Sequence, residues 1–120
     1  MPERHSSGDA TRLGLALAER LGIETLKVEI SGILSAAGCY QSQDDAIRTS
    51  VPGYGPEWRC KLVLPSILEG ERLNLTRLTV ESPDGKQETV RLSYQAYLQL
   101  VAATNYKQRV RKMTEYYHAD

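Results

Sequence analysis

The strongest constraint on the fold is the segment Ser82-Pro83-Asp84-Gly85-Lys86, which predicts a tight turn between two extended runs. An Asp-Gly pair between strand-like segments is typical of a β-hairpin. Leu73–Glu81 precedes the turn, and after it Val90 and Leu92 alternate with polar neighbours. The apolar residues of the first run change parity midway, and a bulge near Arg77 would return them to one face: Leu73, Leu75, Leu78 and Val80. The hairpin therefore predicts an antiparallel sheet.

Two further segments have the alternation of a half-buried strand. Leu26, Val28 and Ile30 alternate with polar residues. Residues 58–64 repeat the pattern with Trp58 at its start, and Pro65 ends it. Together with the hairpin, these segments predict about four strands.

An amphipathic helix is predicted near the N-terminus, from Ala10, capped by Asp9, to a stop at Gly22. At about 100° per residue its apolar residues share one face. They are Ala10, Leu13, Gly14, Leu17, Ala18 and Leu21. Such a face predicts packing against the sheet or another helix.

A long helix is predicted from Tyr94 to about Tyr117, with Ser93 as its cap and neither Pro nor Gly inside it. At about 1.5 Å per residue it would exceed the length of a typical strand, so its last turns would project or meet a partner. One broad apolar arc is expected from Leu98, Val101, Ala102, Tyr106, Val110, Met113 and Tyr117. Arg109 falls inside that arc, which predicts an internal acid, an exposed edge or an interface for its charge.

The predicted architecture is an α+β fold: an antiparallel sheet of about four strands, an N-terminal amphipathic helix, and a long C-terminal helix packed on the sheet. Residues 1–8 are polar and are expected to be a flexible arm before a single domain of residues 9–120. Residues 35–57 form a long irregular connection, with a short helical turn over 43–48. Connections of that length are usually functional or disordered.

Charge and cysteine content favour an ordinary cytoplasmic protein. The 120 residues contain 15 basic and 15 acidic side chains, a balance that gives no bulk attraction to nucleic acid or to an anionic membrane. No secretory leader and no apolar run of membrane-spanning length is present in the sequence, so no membrane partner is expected. Cys39 and Cys60 are interpreted as free thiols; the alternative is a disulfide, which a reducing compartment disfavours.

Motifs for catalysis, metal binding or a cofactor were not found, so the sequence predicts no catalytic residue, no metal and no cofactor. The two histidines, His5 and His118, lie near opposite ends of the chain, and phosphate-binding glycine motifs are missing. Asp44 and Asp45 are the only adjacent acids in the long connection. They are interpreted as favourable charges at the start of the short helical turn.

The aromatic residues favour a non-enzymatic binding or adaptor protein with a regulatory role. The chain has seven tyrosines and no phenylalanine, and five of the tyrosines lie on the last helix. Tyr and Arg are common at binding hot spots, so contacts with another protein or self-association are expected. The predicted contacts are Tyr106, Arg109, Met113, Tyr116 and Tyr117 on the helix, with Tyr40, Tyr54 and Trp58 beside the 35–57 loop.

Two other functions stay open. The first is nucleic-acid binding by the basic end of the last helix, through Lys107, Arg109, Arg111 and Lys112. The second is a small-molecule binder or enzyme in which residues 38–58 act as a lid over the sheet.

Overall fold

The protein has an α+β fold, seen in a computed structural model that describes residues 1–63 and 76–120. In chain order the helices and strands are α1 Gly8–Leu21, α2 Ser31–Ala36, α3 Cys39–Arg48, β1 Arg59–Val63, β2 Arg77–Glu81, β3 Gln87–Arg91 and α4 Tyr94–Ala119. The predicted fold class is confirmed, with three strands in the described part of the chain where about four were expected.

The strands form one antiparallel sheet in the order β1-β2-β3. The hairpin prediction is confirmed, because β2 pairs with β3 so that Thr79 lies opposite Thr89. Gly85 adopts a φ of 88°, a left-handed conformation that favours glycine at this turn. β1 completes the sheet on the other side of β2, with Cys60 opposite Val80. Leu73 and Leu75 lie outside the described residues. The bulge predicted near Arg77 is absent from the described part of the strand, because Arg77 is in regular register opposite Val63 and Arg91.

One core lies between this sheet and two helices. Leu78 and Val80, at alternate positions of β2, are almost completely buried. They belong to one cluster with Ile47 of α3 and with Ala96 and Leu100 of α4. The central strand therefore supplies the apolar face on which α4 packs, as predicted.

A second core lies farther along α4 and away from the sheet. Ile30 and Leu34 are fully buried there, together with Tyr40, Ala103 and Val110. Both α3 and α4 contribute to both cores, α3 through Ile47 in the first and Tyr40 in the second, so these two helices connect the sheet to α2.

The predicted strand over Leu26–Ile30 is wrong, because residues 23–30 belong to no strand of the structure. Among the described residues, the backbone groups of residues 24–29 form no backbone–backbone hydrogen bond. The two ends of the segment are held, since the Ile23 N–H donates to the carbonyl of Ala18 at 2.9 Å and the Ile30 N–H donates to the carbonyl of Pro2 at 3.1 Å. Alternation indicates which side chains share a face, and it does not supply the neighbouring strand that a sheet needs.

The irregular connection predicted for residues 35–57 is also wrong in its first half. It contains the end of α2 and a ten-residue helix, α3, rather than a short turn at 43–48. Gly38, with a φ of 73°, forms the left-handed turn between them. The buried face of α3 includes Tyr40, Gln43 and Asp44, and polar residues on a buried face conceal the helical apolar period.

The ends of α4 agree with the prediction, and Ser93 caps it by accepting from the Ala96 N–H at 3.2 Å. The apolar arc is largely wrong. The buried residues are Ala96, Leu100, Ala103, Val110 and Thr114, whereas Leu98, Tyr106 and Met113 are exposed. Apolar residues lie on both sides of α4, so the sequence alone does not select the face that packs. Arg109 lies on the exposed side of α4, so of the environments predicted for its charge the structure shows the exposed one.

The N-terminal helix is present, but its cap and its packing differ from the prediction. α1 begins at Gly8 with Ser7 at the N-cap position, and Asp9 lies in the first turn. None of its residues is buried. The division into an arm of residues 1–8 and a domain of residues 9–120 stays a prediction.

None of the helices in the described residues is both long enough and apolar enough to cross a membrane.

Candidate functional site

The most unusual chemistry of the chain surrounds Tyr40, at the beginning of α3. This side chain is 4% exposed. The groups around it are Glu3, Arg4 and His5 from the N-terminal segment, Asp44 from α3, and Lys107 from α4, which we call the Tyr40 cluster. Three segments that are distant in sequence therefore bring charges of both signs together.

Glu3 is the centre of the cluster. The Tyr40 hydroxyl donates to Glu3 Oε2 at 2.7 Å, and Lys107 Nζ lies 3.8 Å from the same oxygen. Lys107 also lies over the Tyr40 ring, 5.3 Å from its centre, at a distance typical of a cation–π contact. The Glu3 carboxylate is thus buried with a hydrogen-bond donor and a counter-ion.

These contacts shift the pKa of Glu3. Burial raises this pKa, but the hydrogen bonds from Tyr40 and the His5 backbone and the charge of Lys107 lower it more, so it lies below its ordinary value. Burial raises the pKa of Tyr40, and its donated hydrogen bond to Glu3 acts in the same direction. At neutral pH the pair is therefore a carboxylate that accepts from a neutral phenol.

Asp44 extends the cluster. Arg4 Nη2 lies 3.8 Å from Asp44 Oδ2, and the Arg4 guanidinium lies 5.1 Å from the centre of the Tyr40 ring. The other oxygen, Asp44 Oδ1, is buried without a hydrogen-bond partner in the described part of the chain. The interpretation of Asp44 and Asp45 as charges at a helix start is wrong, because α3 begins at Cys39 and both acids lie in its second half. Asp45 instead pairs with Arg48, at 3.2 Å.

Tyr54, Trp58 and Cys60 lie beside this cluster. Tyr54 and Trp58 pack with their ring centres 6.0 Å apart. The Tyr54 hydroxyl is buried without a hydrogen-bond partner within the described ranges, and burial raises its pKa. Cys39 and Cys60 are free, as the preferred interpretation of the sequence has it. Burial raises the pKa of both thiols, so neither is an activated thiolate at neutral pH.

A polar cleft opens next to the Tyr40 cluster. Its volume is about 710 Å³, within the range common for small-molecule sites. Residues 4–9 form one wall and residues 56–60 form the other. Arg4 and Arg59 contribute positive charges, Asp9 and Glu57 contribute carboxylates, and Trp58 contributes an aromatic ring. Within residues 1–63 and 76–120, no three His, Cys, Asp or Glu side chains group as metal ligands would.

The structure separates the contact residues predicted for a protein partner into two groups. Those on α4 are exposed: Met113 by 60%, Tyr117 by 78%, and Tyr106, Arg109 and Tyr116 as well. Tyr40 and Tyr54 are buried in the two cores, and Trp58 is half-buried. The outer side of α4 is therefore accessible, whereas residues 39–54 pack into the two cores and residues 56–58 line the cleft.

The basic residues predicted for nucleic-acid binding do not form one open surface. Lys107 faces Glu3, and Arg111 Nε donates to the Met1 carbonyl at 3.4 Å. Lys112 pairs with Glu115 at 2.7 Å, and Arg109 is exposed. Binding of nucleic acid stays an untested prediction.

Sequence reasoning missed the Tyr40 cluster for an identifiable reason. Glu3, Arg4 and His5 lie in a segment without periodicity, where pattern analysis finds no structure. One signal in the sequence could have pointed to the cluster. Lys107 lies in a helix with apolar residues on both sides, so it could be buried, and a buried lysine requires a counter-ion.

His5 makes the stability of the chain depend on pH. Its ring packs edge-on against Tyr40, with centres 5.4 Å apart, and burial together with the charge of Lys107 lowers its pKa. Because the unfolded chain then binds this proton more readily than the folded chain, stability falls as pH decreases through about 6.5. We expect the urea midpoint of the wild type to drop more between pH 7.5 and 5.5 than that of His5→Asn. His118→Asn is the matched control and should keep the wild-type dependence; equal slopes for all three proteins would contradict the assignment.

The chain was also compared with known proteins. No family model matches it, and no solved structure does.

Curated relatives do match over the whole chain. A protein of Mesorhizobium japonicum is 62% identical over 120 residues, which are all of this chain and 38% of that protein. Proteins of Rhizobium meliloti and Rhizobium rhizogenes are 48% and 45% identical over the same length, each with 36% of its own sequence covered. All three are named NH(3)-dependent NAD(+) synthetase.

These relatives overturn the functional prediction. A non-enzymatic adaptor or regulatory binding protein is wrong, because the proteins that resemble this chain from end to end bear the name of an enzyme. The chain spans little more than a third of the length of the curated relatives it matches.

Proposed function

We propose that this chain is one part of an enzyme that makes NAD⁺ with ammonia as a substrate. The observation that carries the proposal is identity of 45% to 62% over all 120 residues to three relatives named for that activity. Because the chain covers 36% to 38% of those relatives, it would supply only a portion of the active enzyme. A cytoplasmic location belongs to the same proposal, and the free state of both cysteines is consistent with it.

The polar cleft is the contribution of this chain that suits such chemistry. Use of ammonia to make NAD⁺ implies that its nitrogen becomes the carboxamide nitrogen, so the substrate would be the corresponding dinucleotide acid. An activating co-substrate would have to turn one carboxylate oxygen into a leaving group, which ammonia then displaces with loss of a proton. A dinucleotide offers phosphates and aromatic bases, which bind well to arginines and to aromatic rings. Arg4 and Arg59 provide the first kind of group and Trp58 the second. We propose that this cleft holds part of the dinucleotide.

A chimeric enzyme tests the proposal. The aligned 120 residues of the Mesorhizobium relative would be replaced by this chain, and ammonia-dependent NAD⁺ formation would be measured. We expect the chimera to make NAD⁺. A chimera that folds, as judged by circular dichroism and gel filtration, but makes no NAD⁺ would refute the proposal.

Arg59→Ala in the chimera tests the role of the cleft. Loss of a charge-assisted hydrogen bond to a phosphate should raise the KM for the dinucleotide acid about tenfold. Arg77→Ala, at an exposed position of the same sheet outside the cleft, is the matched control and should leave KM unchanged. An unchanged KM in both variants would exclude Arg59 from substrate binding.

A further inference from the structure

We propose that α1 and residues 23–30 form an internal interface of the longer protein, in which residues 23–30 pair as a β-strand with a strand from the polypeptide outside this chain. The inference rests on the proposed function, because that proposal makes this chain part of a longer polypeptide. Four observations support it.

The first is the exposure of α1. Leu13, Leu17 and Leu21 share its apolar face and are 59%, 58% and 63% exposed. A helix with such a face normally packs it against the protein to which it belongs. Here the whole helix contains no buried residue. α1 therefore has an apolar face, but no other element among the described residues packs against it.

The second is the backbone of residues 24–29, which is unpaired within the described part of the chain. Leu26, Val28 and Ile30 alternate with Lys27 and Glu29, as in a strand with one face in a core. Ile30 is fully buried and anchors the segment, but residues 24–29 make no backbone–backbone hydrogen bond to the described residues. An unpaired segment with this pattern is a template for an additional strand.

The third is an open groove between the two elements. It has a volume of about 390 Å³ and is lined by residues of α1 and by Thr25, Leu26 and Lys27. Gly14 faces open space, since a Cβ added there would meet no atom within 4 Å. A glycine within an apolar helix face permits the close approach of another element.

The fourth is the size of the surface. The accessible area is 8950 Å², whereas a folded monomer of 13.4 kDa is expected to expose about 6,500 Å². The radius of gyration is 16.7 Å, against about 13.6 Å expected for a compact domain of 120 residues. Both values exceed those of a compact domain, as expected for a chain in which no residue of α1 is buried.

The occupant we assign is the remaining polypeptide and not a second copy of this chain. Almost two thirds of each relative lies outside the aligned segment, since the chain covers 36% to 38% of them. That length is ample for the strands and helices of a further layer. A strand supplied within one polypeptide also meets residues 23–30 at a high effective concentration.

Hydrogen exchange in the chimeric enzyme tests the pairing. We expect the amides of residues 25–29 to exchange at least 100-fold more slowly than in an unstructured peptide, as do amides held in a sheet. The amides of Val80 and Val90, within the hairpin, are the slow reference. The amide of Asp84, in the turn, is the fast reference.

A substitution pair tests the helix face. Leu17→Gln in the chimera should lower Tm by about 5 °C, because it would place an amide in a covered apolar interface. Glu19→Gln, at an exposed position of the same helix, is the matched control and should change Tm by less than about 1 °C.

The outcomes separate the interface from the proposed function. If the amides of residues 25–29 exchange as fast as in an unstructured peptide, in a chimera that makes NAD⁺, the interface is overturned and the proposed function is left intact. Slow exchange in a chimera that makes no NAD⁺ would support the interface and refute the function. Protection that requires only this 120-residue chain and increases with its concentration would identify a second copy as the occupant and would overturn our assignment.

Discussion

Lys107→Met is expected to lower the free energy of unfolding of the chain by about 3 kcal/mol, because it leaves the Glu3 carboxylate buried without its counter-ion. The side chains of Lys107 and Glu3 are 12% and 6% exposed, so water compensates little for the lost charge. Urea unfolding at pH 7, followed by circular dichroism, gives the measurement.

The chain offers a matched control for this substitution. Lys112 lies on the same helix and also pairs with a glutamate, but its side chain is 70% exposed. Exposed pairs contribute about 0–1 kcal/mol, so Lys112→Met should have little effect. The double variant Glu3→Gln/Lys107→Met should recover much of the loss, since removing both charges leaves none uncompensated. Equal losses for Lys107→Met and Lys112→Met would show that the burial of the Glu3 pair has no energetic consequence.

The same substitution has a predictable dependence on pH. In the wild type the pKa of Glu3 is below its ordinary value. The stability that this carboxylate contributes is therefore present above about pH 4.5 and is lost as pH falls through the lowered pKa. The difference between wild type and Lys107→Met should shrink in acid, where Glu3 is protonated in both.

Leu78→Ala should lower the free energy of unfolding by about 3 kcal/mol, through lost burial and through the cavity that it leaves. Leu78 is 1% exposed and lies on the central strand, opposite Leu62 on one side and Val90 on the other. The thermal or urea unfolding of the hairpin core should report the loss directly.

Two exposed leucines provide the comparison. Leu21→Ala and Leu98→Ala remove the same atoms from side chains that are 63% and 46% exposed. Each should change the stability of this chain by less than about 1 kcal/mol, because little apolar area returns to water. A loss at Leu98 as large as that at Leu78 would mean that the outer side of α4 is covered even in the isolated chain.

The sequence predicted those features that depend on nearby residues. The turn at Asp84-Gly85 and the Ser93 cap are local, because the chemistry of two or three residues determines them. The two faces of α4 were not separable, since the helix packs through Ala96, Ala103 and Thr114 and exposes Met113 and Tyr116. Only the positions of α3 and the sheet decide which face is buried.

The candidate site was less predictable than the fold. Glu3, Tyr40 and Lys107 come from three segments, and no spacing in the sequence relates them. The alternation over residues 23–30 predicted a strand that the structure does not contain, and of its apolar residues only Ile30 is buried, since a strand also needs a neighbour. An alternating pattern alone therefore does not predict a strand.

The contact between the first residues and α4 has a consequence for the order of folding. Arg111 bonds to Met1 across 110 positions, whereas Thr79 and Thr89 of the hairpin are 10 positions apart. Closing the longer loop costs more chain entropy, so the hairpin should form early and the attachment of the first residues late. Contacts made after the transition state mainly govern how fast the native state is lost. The contacts of the Tyr40 cluster should therefore lower the rate at which the first residues detach from the folded chain. They should hardly change the rate at which the sheet folds.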